Sequence, residues 1–210
     1  MRKIGVFGGS FDPPHMGHRA LLEAALNEFP LDEIWVIPVG IPVHRKLTSH
    51  VSARQRLIWV EKMFTDLPQV RVLDWETKKR QSPTIETMRH ISSHLSVTPY
   101  YLLGMDAWKG LADWVAYPEH RKLCNMLVFS RWGAINAGHD GWLKVDCIST
   151  NSDMQAGHVC YAKSKLPDIS ATQIRQHILT GKDVSTVLDA RIANEIRAAY
   201  KIDGSYGEST

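Results

Sequence analysis

Apolar residues along the chain fall into short unbroken runs, and between them come stretches with helical spacing. Ile4-Gly5-Val6-Phe7 is apolar throughout and is stopped by Gly8-Gly9, which predicts a buried strand. Ala20-Leu21-Leu22 and Ala24-Ala25-Leu26 then recur with the period of a helix. Ile34-Trp35-Val36-Ile37-Pro38 predicts a second strand. A helix follows through Leu57, Val60 and Phe64, with Ser52 in the N-cap position. Val70 to Leu73 predicts a third strand, Thr84 to Leu95 a helix, and Tyr100 to Leu103, ended by Gly104, a fourth strand. Met126 to Phe129 predicts a fifth, and Val159-Cys160-Tyr161 is the candidate for a sixth.

Strands that are apolar on both faces and alternate with helices imply a mostly parallel sheet covered on both sides, an α/β doubly wound fold. Ligands of such folds lie beyond the carboxyl ends of the strands. The unusual residues of this chain fall just there. From Trp132 to Gly157 the periodicity fades, which predicts an irregular excursion with a short strand around Val145 to Ile148. From Ser170 two or three helices are expected. The division read from the pattern is a Rossmann-like core over 1–168, a helical segment over 169–203 of the same domain, and a frayed tail over 204–210.

Composition narrows the class only a little. The 210 residues are 44% hydrophobic and 22% charged, with a net charge of +3, which suits an ordinary globular domain. No dense basic stripe marks a nucleic-acid binder. No apolar run reaches the length of a signal peptide or a membrane span, so a soluble cytoplasmic protein is expected. Cys124, Cys147 and Cys160 are too few and too scattered for a disulfide framework and read as reduced, mostly buried thiols.

The chemistry concentrates in two segments. The first runs Gly8-Gly9-Ser10-Phe11-Asp12-Pro13-Pro14-His15-Met16-Gly17-His18. Two glycines after a strand allow a ligand to approach the backbone closely, and N–H groups in such a turn can cradle phosphate oxygens. His15 and His18, three apart at a helix start, share one face near its positive end and can donate to a polyphosphate. Gly17 between them is expected to leave room for a nucleotide. A histidine metal pair is the alternative, but no acid or cysteine at ligand spacing completes a closed site. The second segment is Ile169-Ser170-Ala171-Thr172-Gln173-Ile174-Arg175. Ser170 can cap the helix that starts there; its hydroxyl, that of Thr172 and the first N–H groups can bind an anion. Arg175, one turn on, can reach the same oxygens.

The first segment resembles the G-G-[ST]-F-D-P-x-H-x-G-H signature of nicotinate-nucleotide adenylyltransferases, within the wider H-x-G-H nucleotidyltransferase superfamily, with nine defined positions matched in order. The second resembles that family's I-S-[SA]-T-x-I-R. The resemblance implies transfer of AMP from ATP to nicotinate mononucleotide, with Gly8, Gly9, Ser10, Phe11, Ser170, Thr172 and Arg175 around the ATP and His15 and His18 as catalytic residues. A Mg²⁺ ion is expected to arrive with the phosphates. Gly104-Met105-Asp106 resembles the family's G-x-D beside the nucleotide; otherwise Asp106 caps the next helix. Trp114 stands where the family stacks an indole on the acceptor's pyridine ring, and the plain alternative is a core tryptophan. Pro42-Val43-His44-Arg45-Lys46 resembles P-x-H-[KR]; His44, Arg45 and Lys46 would meet an anionic acceptor or form a solvated basic loop.

Two positions depart from the family pattern. Ser82-Pro83-Thr84 replaces S-Y-T, so proline removes an N–H donor beside Thr84. Arg131-Trp132-Gly133 replaces R-P-G and keeps only the arginine as an acceptor contact. Both bear on the acceptor rather than on ATP. Rival readings are the same chemistry on nicotinamide mononucleotide or phosphopantetheine, a non-catalytic nucleotide-binding module, and a class I aminoacyl-tRNA synthetase fragment, to whose lysine loop Lys163-Ser164-Lys165 bears a faint likeness. Nucleic-acid and membrane partners are not expected, and a homo-oligomer stays open.

Overall fold

The computed structural model describes residues 2–42, 50–78, 81–95, 97–131, 138–139, 141–146 and 154–202. In chain order the elements are β1 (Ile4–Gly9), α1 (Met16–Glu28), β2 (Glu33–Pro38), α2 (Ala53–Phe64), β3 (Val70–Val72), α3 (Thr84–Leu95), β4 (Tyr100–Gly104) and α4 (Met105–Lys109). Two 3-10 turns, Leu111–Asp113 and Glu119–Lys122, lead to β5 (Asn125–Ser130), β6 (Leu143–Val145), β7 (His158–Lys165), α5 (Ala171–Leu179) and α6 (Ala193–Ile202).

The strands form one sheet in the order β3-β2-β1-β4-β5-β7-β6, with every pairing parallel. Successive side chains on a strand point to opposite faces, so each continuous apolar run feeds two cores. Phe7, Val36, Leu102 and Leu127 pack on one face against Leu22 of α1, Trp59 of α2, Ile174 of α5 and Tyr200 of α6. Val6, Ile37, Leu103 and Met126 pack on the other against Met88 and Ile91 of α3 and Trp108 of α4. Burying one such side chain contributes about 1.5–3 kcal/mol. The doubly wound expectation is met. The helices after residue 169 pack onto the same core as Phe7.

The differences from the pattern have local causes. Gly8 and Gly9 do not end β1; they stay in register with Ile37 and Pro38 of β2. The last long strand runs on through polar Lys163 and Ser164, whose N–H groups donate to the Glu28 carboxylate at 2.6 and 2.8 Å. α4 is too short for its period to show in sequence. The weak strand lies at Leu143–Val145; Ile148, Cys147 and the tail from 204 lie outside the described residues. Cys124 and Cys160 are buried thiols outside any disulfide, as expected, and burial pushes the Cys124 thiol up to about 12. No helix among the described residues is long and apolar enough to cross a membrane.

The chain lays β1, β2 and β3 outward on one side and then crosses back to lay β4 and β5 on the other. Strand order therefore reverses between β1 and β4. These two pair only at Gly5 with Tyr100 and Val6 with Tyr101. Beyond that point they part while β1 continues to Gly9 and β4 to Gly104, and a crevice opens between their carboxyl ends.

Candidate active site

The crevice is a cleft of about 420 Å³. One wall is the turn from β1 into α1. A Cβ on Gly8 would lie 2.6 Å from the Tyr101 hydroxyl, so only glycine fits. Phe11 has φ +47°, in the left-handed region, at a cost of order 1–3 kcal/mol. Its buried ring holds it there, edge-on to Phe7 at 5.6 Å and to His18 at 4.9 Å. Ser10 and Phe11 line the cleft.

His15 occupies the N-cap position of α1, and its N–H donates to His18 Nδ1 at 3.1 Å. A neutral His18 therefore carries its proton on Nε2, where it can be donated to a ligand. The two rings stack with centroids 3.8 Å apart. Burial, and then the charge of Arg131, hold the His15 imidazole down to about 4, and its Nδ1 has no hydrogen-bond partner among the described residues. An anion in the cleft would supply the charge that burial denies this ring. Gly17 lines the cleft between the two histidines, and a Cβ there would also lie 3.0 Å from the His15 ring and 3.4 Å from Ile169 Cβ. The glycine lets the imidazole pack.

The facing wall is the start of α5, with Ser170 and Thr172 lining the cleft. Ser170 is the N-cap residue, but its side chain makes no capping bond, contrary to the pattern-based reading. The start of the helix, Ser170 to Thr172, lines the cleft. Arg175 does not line the cleft. Its Nη1 donates to the Asp12 carbonyl at 2.5 Å and lies 3.6 Å from Asp12 Oδ2, and Nη2 donates to Thr172 Oγ1 at 3.3 Å. Asp12 is buried and also accepts the Tyr200 hydroxyl at 2.6 Å. The two motifs do converge, but their link is Asp12, and Arg175 fastens one to the other. Arg131, at the end of β5, also lines the cleft, with its guanidinium 2.9 Å from Asp168 and close enough to act on His15.

On the β4 side Gly104 leaves open space where a Cβ would stand. Gly104, not Asp106, is the N-cap of α4; Asp106 is exposed in the first turn and lines the cleft with Lys109. Trp114 also lines it, edge-on to Tyr101 at 5.7 Å and to His120 at 5.7 Å. The Tyr101 hydroxyl bonds the Thr84 side chain and the Gly8 backbone, and burial raises its pKa. Thr84 thus stands behind Tyr101 rather than in the cleft wall. His44, Arg45 and Lys46 lie outside the described residues, as do Trp132 and Gly133. No group of three or more His, Cys, Asp or Glu able to hold a metal occurs among the described residues.

Sequence reasoning missed Tyr101, Lys109 and Arg56. Arg56, on α2, is fully buried; it donates to the Ser10 carbonyl and, at 2.7 Å, to the Gly40 carbonyl. Its signal was present: Arg56 falls on the same helix face as Val60 and Met63, and a charge on a buried face needs dedicated partners.

The cytidylyltransferase-like family model matches residues 6–177. A Shewanella pealeana protein named "Probable nicotinate-nucleotide adenylyltransferase" is 30% identical, covering 97% of this chain and 98% of its own. A Pseudomonas fluorescens protein of the same name is 35% identical, over 87% of this chain and 89% of its own. Among solved structures, a Plasmodium falciparum nicotinic acid mononucleotide adenylyltransferase complexed with NaAD has the same fold, with TM-score 0.66 at 16% identity, covering 93% of this chain and 96% of that one. With a family model spanning most of its length and relatives at this identity from end to end, the chain belongs to the cytidylyltransferase-like family and, within it, to the nicotinate-nucleotide adenylyltransferases.

Proposed function

We propose that this chain transfers AMP from MgATP to nicotinate mononucleotide, giving nicotinate adenine dinucleotide and pyrophosphate. One observation carries the reading: the stacked His15–His18 pair on the β1–α1 turn faces the start of α5 across a single cleft at the sheet's switch point. The acceptor is favoured by the relatives' names and by Trp114, whose flat indole stands in the cleft wall above Tyr101.

The acceptor's phosphate is already anionic near neutral pH. Its oxygen attacks the α-phosphorus in line, a new P–O bond forms, and the bond to the bridging α,β-oxygen breaks as pyrophosphate leaves. No protein nucleophile takes part, so the residues act by positioning and charge stabilisation. Backbone N–H groups at Ser10-Phe11 and the start of α5 hold phosphate oxygens. His18 Nε2 donates to the developing charge, and His15, once an anion is bound, becomes a cation beside it. Ser170 and Thr172 receive the leaving pyrophosphate. Arg175 acts from behind, through Asp12. Mg²⁺ enters as part of the nucleotide substrate, held by phosphates and water; among the cleft carboxylates Asp12 is already taken up by Tyr200 and Arg175.

The test is to supply MgATP with either nicotinate or nicotinamide mononucleotide and follow pyrophosphate and dinucleotide. Turnover with the nicotinate form is expected to exceed the other by tenfold or more in kcat/KM. Preference for the amide would overturn the acceptor, and no turnover with either would overturn the activity.

A further inference from the structure

Arg56 contributes nothing to the cleft surface, yet it holds the carbonyl groups of two loops that follow neighbouring strands. The Ser10 carbonyl belongs to the turn after β1, and the Gly40 carbonyl to the segment after β2. In a trans peptide the C=O and the following N–H point in opposite directions. A Ser10 carbonyl directed at a fully buried arginine, away from the cleft, therefore sends the Phe11 N–H the other way, toward the cleft that Ser10 and Phe11 line. The Gly40 carbonyl is turned inward by the same guanidinium, which sends the Ile41 N–H toward the surface on which Ile41 lies.

The turn at Ser10 would not hold this orientation unaided. Phe11 sits at φ +47°, a conformation that a bulky residue adopts only when its surroundings impose it. Ring packing against Phe7 and His18 fixes the side chain, but a ring contact does not determine which way the preceding peptide plane faces. The planar fork of Arg56 does, because it meets two carbonyls at fixed angles. A lysine has one rotatable ammonium in its place and cannot reproduce that fork.

We infer that Arg56 is a positioning residue for nucleotide binding: by gripping the Ser10 and Gly40 carbonyls it aims the Phe11 N–H at the phosphates and ties the nucleotide turn to the loop after β2. The inference rests on the adenylyltransferase reading for its kinetic consequence, but its effect on ATP binding does not depend on turnover.

The experiment uses the full chain with Arg56→Ala and Arg56→Lys, checked for fold by near-UV circular dichroism and for ATP binding by calorimetry. Removing an aligned donor outright costs about 10²–10³-fold in rate; R56A leaves the Phe11 N–H in place but no longer aimed, so a folded R56A is expected to approach the lower end of that loss in kcat/KM for ATP. Millimolar ethylguanidinium is expected to restore at least tenfold of the loss, whereas ethylammonium restores none. R56K is expected to fold, to bind ATP at least tenfold more weakly than the parent and to lose kcat in step. A folded R56A or R56K within twofold of the parent in ATP affinity and kcat would overturn the inference. So would failure of both variants to fold, which would make Arg56 a residue of the fold alone. If the parent binds ATP but turns over no mononucleotide, the activity reading fails while the calorimetric comparison still decides the role of Arg56.

Discussion

His15 shows how one side chain sets a property of the folded chain. Its imidazole is buried against His18 and Gly17, so the neutral form is favoured and the pKa falls from 6.5 to about 4. Between those values the unfolded chain takes up a proton that the folded chain refuses, so stability rises with pH across that window. The contribution is fully present above pH 6.5 and fully lost below about 4, which at 1.36 kcal/mol per pKa unit amounts to about 3 kcal/mol. In the absence of nucleotide, urea unfolding of the parent should lose roughly 2–3 kcal/mol more between pH 7.5 and 4.5 than His15→Gln does. Identical pH dependence in the two proteins would show that the ring is not held neutral. The three-residue spacing of His15 and His18 already placed them on one face. That they stack, and that one backbone N–H fixes the tautomer of the other ring, depends on Gly17 lacking a Cβ and on Ile169 closing in behind, a contact between segments far apart in sequence.

Two helix starts, each with a serine in the N-cap position, behave differently. Ser52 Oγ accepts from the Gln55 N–H at 3.1 Å at the start of α2, whereas Ser170 makes no capping bond at the start of α5. Ser52→Ala should therefore cost about 1 kcal/mol of stability and leave the kinetics unchanged. Ser170→Ala should leave stability within a few tenths of a kcal/mol and raise KM for ATP, since Ser170 makes no capping bond and lines the cleft. Thermal melts and ATP titrations of the pair check this, and a melt in which Ser170→Ala falls as far as Ser52→Ala would return Ser170 to plain capping. The sequence showed both serines at the right place because N-caps have a local signature, and α3 was legible from Thr84 to Leu95 because its apolar face repeats over three turns. α4 was not legible, since five residues hold too little of a period, and the length of β7 was hidden because Glu28 supports its polar end. The two motifs were readable as anion sites. Whether Arg175 faced a ligand or a carbonyl was not, because Asp12 lies 163 positions away.

At the scale of the whole chain, the last helix closes on the first loop. Tyr200 of α6 is buried, and its hydroxyl donates to Asp12 Oδ1 at 2.6 Å, joining positions 188 apart, while Arg175 of α5 holds the carbonyl of the same aspartate. The nucleotide turn is thus clamped from behind by the C-terminal helices, and an effect on ATP is expected from a residue that does not line the cleft. Tyr200→Phe keeps the ring and removes only the donor, leaving a buried carboxylate oxygen short of a partner, at a cost of about 1–3 kcal/mol. At roughly 2–4 °C per kcal/mol for a chain of this size, the melting temperature should fall by several degrees. KM for ATP should rise several-fold with the acceptor KM unchanged, because only the Asp12 turn is loosened. Lys62→Met is the control. Lys62 of α2 bridges to Glu195 of α6, the helix that carries Tyr200, at 2.5 Å, but both side chains are well exposed, at 44% and 43%. A solvated pair of that kind contributes about 0–1 kcal/mol, and it does not touch Asp12. If Tyr200→Phe and Lys62→Met shift the melting temperature and the ATP KM equally, α6 only covers the core. If the tyrosine variant alone moves both, the C-terminal helix is part of what holds the nucleotide turn in shape.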